Sequence, residues 1–99
     1  EINFDKVFSS PLIRALETAK IITNKEITID ERIIERSNGD LEGKVKKDIK
    51  EKIDFNDINE TRYNIENIKD FRDRINNFLE EVERLVILNF YIYAIFSHY

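Results

Sequence analysis

Residues 4–43 read FDKVFSSPLIRALETAKIITNKEITIDERIIERSNGDLEG. A short apolar run, Val7-Phe8, closes on Ser9-Ser10-Pro11 and gives way to Leu12, Ala15, Leu16, Ala19 and Ile22 at helical spacing. Residues 4–9 therefore predict a buried strand, followed by a helix to about Thr23. Ser10 suits the N-cap of that helix and Pro11 its first position. Asn24-Lys25 turns the chain, and residues 26–29 alternate weakly, as an edge strand does. Residues 30–43 read as loop with one helical turn near Arg32.

Beyond Gly43, residues 45–53 predict a short helix and residues 54–63 an irregular polar stretch. From Asn64 the helical pattern is the strongest in the chain. Ile65, Ile68, Phe71, Ile75, Phe78, Leu79, Val82 and Leu85 or Val86 fall on one face, with charged residues on the other. Residues 86–97, rich in Ile, Tyr and Phe, predict a second buried strand that ends at Ser97-His98-Tyr99. Strand–helix–strand–loop–helix–strand predicts an α/β fold: three α/β/α layers around a largely parallel sheet. Ligands gather at the carboxyl ends of strands in such sheets. Ser9-Ser10 and Ser97-His98 both fall at such ends, which predicts a shared pocket.

Composition narrows the function classes. Ninety-nine residues, 41% hydrophobic, make one small domain or a piece of a larger one. A net charge of −4 argues against a nucleic-acid or anionic-membrane partner, although it leaves room for a local phosphate pocket. With no cysteine and one histidine, disulfides are excluded and a metal centre is disfavoured. Residues 85–96 are strongly apolar but too few to span a bilayer. No leader pattern opens the sequence, so a cytoplasmic location is expected.

Three residues stand out chemically. Arg14 lies one turn into the first helix, where its planar fork and the free N–H groups of a helix start both favour a phosphate. It reads equally as a surface arginine on a polar helix face. Glu35 precedes Gly39 and Gly43, the only two glycines of the chain. Their closeness suggests backbone with positive φ or a close approach to a ligand. A carboxyl group in such a pocket is a general acid or base, or else one more exposed carboxylate. His98 ends a strand beside an apolar run, a place open to a structural as well as a catalytic histidine.

Two motifs in this order carry a resemblance. Ser10-Pro11-Leu12-Ile13-Arg14-Ala15-Leu16-Glu17-Thr18-Ala19 fits SxLxRAxxTA, and Glu35-Arg36-Ser37-Asn38-Gly39-Asp40-Leu41-Glu42-Gly43 fits ExxxGxxEG. Both resemble the histidine phosphatase superfamily, also called the phosphoglycerate mutase-like family. Ser97-His98 resembles its Ser-His-Gly, with Tyr99 in place of the glycine. Glu66-Asn67 with Phe71, Arg74, Ile75, Phe78 and Leu79 is similar to its ESxxxFxxRxxxFL helix.

The resemblance implies phosphomonoester hydrolysis or phosphoryl transfer through a phosphohistidine, on a small phosphorylated substrate and with no metal or cofactor. It implies that Arg14 binds the phosphate and that Glu35 protonates the leaving group. It makes His98 the second histidine, which steadies the phosphoryl charge. Ser9 and Ser10 are read apart from it, as residues that cap the helix and contact the ligand, or that cap alone. The family's nucleophile sits in an Arg-His-Gly motif that does not occur in this sequence. The expectation is a partial domain, incomplete at both ends and inactive by itself, whose uncovered sheet edges favour a homodimer. The short stretch between Gly43 and Asn64 leans toward a phosphatase over a mutase. The alternatives are a non-catalytic relative serving as a binding or assembly module, and a helical interaction protein built on residues 64–85.

Overall fold

The computed structural model describes residues 4–44 and 51–96. The chain divides into two compact units, Glu1–Glu35 with Arg74–Tyr99, and Arg36–Asp73.

The first unit is built on a three-stranded parallel sheet in the order β2-β1-β3, with β1 Lys6–Ser9, β2 Ile27–Ile29 and β3 Ile92–Ile95. Central strand β1 is buried from Val7 to Ser9, as a parallel strand covered on both faces should be. In register, Phe8 stands beside Thr28 and Ala94, while Val7 stands beside Ile27 and Tyr93. Alternation sends these two rows to opposite faces. On the Phe8 face lies the core of Phe8, Ile33 and Phe78, with Val82, Leu85, Ile92 and Ala94 packed against it. Phe8 and Phe78 meet edge to face at 5.3 Å, and Phe78 meets Phe96 in the same way at 5.8 Å. On the other face sits α1, Ile13–Ile22, which buries Ala15 and Ala19. Small residues at that spacing let the helix approach the sheet closely. The α/β fold with a parallel sheet between helices is therefore as expected from the sequence.

Two element boundaries differ from expectation. Ser10 is not the N-cap of α1. Leu12 occupies that position in extended conformation with no side-chain cap, and Leu16 N–H donates to its carbonyl at 3.0 Å. The Ser10 peptide is already engaged in the sheet, because its N–H donates to Ile95 O at 3.0 Å. The strand thus holds the residue that the helix was expected to take.

The second difference is at the end of the long helix. Residues 86–97 were expected to form one strand, but α2 runs Ile68–Ile87 and β3 is confined to Ile92–Ile95. Asn89 adopts φ +67°, Asn89 N–H donates to Val86 O at 3.0 Å, and Phe90 N–H to Leu85 O at 3.1 Å. That pair of bonds around one left-handed residue is a Schellman termination. Asn tolerates the left-handed region and so serves where glycine commonly does.

In the second unit α2 starts later than the expected Asn64. Tyr63 and Asn64 have φ of +61° and +55°, which a right-handed α-helix does not accept. Asn67 supplies the cap, its side chain accepting from Lys69 N–H at 2.8 Å. Among the described residues of this unit, Leu41, Ile65 and Ile68 are buried and apolar. Two short 3-10 turns, Gly39–Leu41 and Arg62–Asn64, lie against each other. Both glycines have positive φ, +55° at Gly39 and +80° at Gly43. The close approach at Gly39 is to the chain itself, at the carbonyls of Tyr63 and Asn64. The expected helix over 45–53 falls mostly outside the described residues, as do Ser97 and His98.

Candidate functional site

All three strands run in parallel, so their carboxyl ends share one edge of the sheet. Backbone bonds tie those ends together: Asp30 N–H donates to Ser9 O at 2.9 Å, and Ser10 N–H to Ile95 O at 3.0 Å. Ser9 and Ser10 are fully buried, and the Ser9 hydroxyl donates to Ser10 O at 2.9 Å.

From this edge α1 carries Arg14 into solvent. Its neighbours define a concavity of about 490 Å³ lined by Arg14, Ala15 and Thr18 from the helix, and by residues 93–96 at the end of β3. Thr18 donates its hydroxyl to Arg14 O at 3.0 Å, which leaves the guanidinium uninvolved in holding the turn. Among the described residues no carboxylate pairs with that guanidinium. A guanidinium unspent on an internal ion pair, beside a helix start, can take two oxygens of a planar or tetrahedral anion. A second concavity of about 440 Å³, lined by Leu79, Val82, Val86 and Phe90 among others, holds no acidic or basic side chain. Of these two, only the first is lined by a cationic side chain.

Glu35 lies past β2, beyond the 3-10 turn Glu31–Ile33, and is exposed. It does not line the Arg14 concavity. The segment leading to it is held firmly. Asp30 caps the 3-10 turn by accepting from Arg32 N–H at 2.9 Å. The Arg32 guanidinium grips the same carboxylate at 2.6 Å and reaches Glu81 on α2 at 2.9 Å. Hydrogen bonding from Arg32 lowers the Asp30 pKa below 3.8, and Asp30 in turn raises that of Arg32. Ile33 is fully buried beneath. The Asp30–Arg32 lock was not singled out from the sequence. An Asp two residues before an Arg at a strand end is the signal it leaves.

The structure thus brings Ser10 and Arg14 to one edge, with only Arg14 lining the concavity there; Ser10 is buried and Glu35 lies outside it, and His98 is beyond the described residues. Among those residues, no three histidine, aspartate or glutamate side chains gather as a metal site, and no helix is long and apolar enough to cross a membrane.

The sequence model of the histidine phosphatase superfamily (branch 1) matches residues 1–98. This chain is a histidine phosphatase superfamily member. Neither a curated protein nor a solved structure matches it. Within the superfamily assignment, the match covers both motif segments, the one bearing Arg14 and the one bearing Glu35. It also extends through Ser97-His98.

Proposed function

We propose that this chain contributes the phosphate-gripping and leaving-group side of a phosphomonoester phosphatase or mutase site. The observation that carries the reading is Arg14, exposed in a concavity at the carboxyl edge of a parallel sheet with no carboxylate neutralising it among the described residues. The superfamily's chemistry gives each residue a role. Arg14 holds the phosphate oxygens, and His98 steadies the charge of the phosphoryl group in flight. Glu35 gives its proton to the departing alkoxide as the P–O bond breaks. A nucleophilic histidine takes the phosphorus, and water or a second hydroxyl later releases it. The sequence holds one histidine and no Arg-His-Gly, so these 99 residues by themselves turn nothing over in this reading.

The test is hydrolysis of 4-nitrophenyl phosphate, without added metal, by these residues and by the complete reading frame that contains them. Turnover by the complete protein alone, lost on Arg14→Ala by about a hundredfold or more in kcat/KM, supports the reading. A complete protein that is silent and has no Arg-His-Gly sinks it in favour of a non-catalytic relative.

A further inference from the structure

Arg74 stands on α2 and is half-buried. Its Nη1 donates to two backbone carbonyls, Arg32 O at 2.8 Å and Ile34 O at 2.6 Å. Neither carbonyl serves the short 3-10 turn, whose bonds run Ile33 N–H to Asp30 O and Ile34 N–H to Glu31 O. Left alone they would be orphaned acceptors at the end of a turn, and one guanidinium nitrogen of Arg74, with its two N–H bonds, satisfies both.

The second of those bonds has a consequence for the next residue. The Ile34 carbonyl and the Glu35 N–H belong to one planar peptide unit. A bond that fixes the direction of Ile34 O therefore fixes the plane from which Glu35 sets out. Its side chain is exposed, and among the described residues no hydrogen bond engages its carboxylate. The backbone that leads into it is held. Ile33 is buried against Phe8 and Phe78, and Arg32 is locked to Asp30, Glu81 and Asn77.

We propose that Arg74 is a positioning residue that aims Glu35 at the leaving-group oxygen by holding the carbonyls of Arg32 and Ile34. The inference rests on the reading of Glu35 as the proton donor. It adds the device by which an exposed glutamate on a loop acquires a fixed direction. Misdirection of a proton donor by about 1 Å costs on the order of a hundredfold in the step it serves.

The experiment compares two substrates in the complete reading frame. Glycerol 2-phosphate releases a strongly basic alkoxide and needs the proton. 4-Nitrophenyl phosphate releases a weakly basic phenolate and barely does. Glu35→Gln is expected to fall about a hundredfold or more on the first and far less on the second. Arg74→Met, which keeps the stem and removes the donors, is expected to show the same bias, with about a tenfold larger loss on the alkyl ester. In the double variant the bias should be no greater than in Glu35→Gln alone, because both changes disable one function.

An equal loss on both esters makes Arg74 merely structural and overturns the proposal, while the phosphatase reading stands. Should Glu35→Gln itself lose equally on both, the proton-donor reading fails and takes this proposal with it. If Arg74→Met does not fold, Arg74→Lys, with donors on a shorter reach, carries the same comparison. A smaller loss biased to the alkyl ester supports the device, and an unbiased one overturns it.

Discussion

The two units of this chain are ordered by different means. In the unit of Glu1–Glu35 and Arg74–Tyr99, a ladder of parallel strands and an aromatic core do the work: Phe8, Ile33 and Phe78 are at most 2% exposed. In Arg36–Asp73, much of the order comes from polar bonds, most of them between near neighbours in sequence. Asp54 and Asp57 each accept from the N–H two residues on, and Glu60 accepts both the N–H and the guanidinium of Arg62. Ser37 and Glu66 exchange backbone and side-chain bonds across the unit, and Arg36 donates to Glu66 O. The comparison teaches how the edge that bears the proposed site is made rigid. Burial of large apolar groups gives the sheet edge its rigidity, and that edge holds Ser10 and the start of α1. In the intervening segment local polar turns do more of this work, with three buried apolar residues, Leu41, Ile65 and Ile68, among those described.

The largest expected effect strikes the apolar unit. Phe78→Ala removes the ring that meets both Phe8 and Phe96, at a site 1% exposed. It should cost about 3–5 kcal/mol, read as a lower denaturant midpoint, out of a typical total of about 5–15 kcal/mol. A loss under about 1 kcal/mol would break the contrast, since the core would then not be what holds the sheet. The next effect is in the polar unit. At Gly39, with φ +55°, an added Cβ would overlap the carbonyls of Tyr63 and Asn64, whereas at Gly43, with φ +80°, it meets open space. Gly39→Ala should cost about 3 kcal/mol, from left-handed strain and overlap together. Gly43→Ala should cost about 1 kcal/mol from strain alone. Equal costs at the two glycines would mean that the 39–41 and 62–64 turns do not depend on close approach.

The same division explains what could be read before the fold was seen. Val7-Phe8, the α1 spacing and the α2 stripe are periodic, and periodicity reports which residues face a core. The parallel α/β order followed from them, and so did Ser10 and Arg14 at a carboxyl edge. The errors lie where a single residue ends an element. Asn89 closes α2 in the left-handed region, and nothing periodic marks it inside a run of Ile, Leu, Phe and Tyr. Ser10 and Pro11 have the chemistry of a helix start, but the Ser10 N–H is claimed by Ile95 O, a partner 85 positions away that local pattern cannot see. Arg74 was visible only as one letter of a helix motif. Its work depends on the carbonyls of Arg32 and Ile34 being brought within reach by the fold.

The smallest effect separates an enclosed ion pair from an exposed one. Arg32 holds Asp30, whose side chain is 13% exposed, and Glu81, which is 39% exposed. The Asp30 pKa lies below 3.8 in the folded chain because Arg32 hydrogen-bonds its charged form. A group depressed on folding binds its proton more readily in the unfolded chain, so it stabilises the fold fully above the unfolded value. That contribution is lost as pH falls through the lower, folded value. Asp30→Asn keeps an oxygen to accept from Arg32 N–H but cannot titrate. Its stability, followed by urea midpoint from pH 6 downward, should start lower than the parent's and fall less steeply below about pH 4. Glu81→Gln should lower the midpoint at pH 6 by less than Asp30→Asn does, since solvent screens the exposed arm. Asp73→Asn, which breaks the exposed Lys69–Asp73 pair of the polar unit, should leave the midpoint nearly where it was. A larger drop for Glu81→Gln than for Asp30→Asn would place the strength of the Arg32 lock on α2 instead of on the end of β2. The loop before Glu35 would then be held from the helix alone, by Arg32 and Arg74 together.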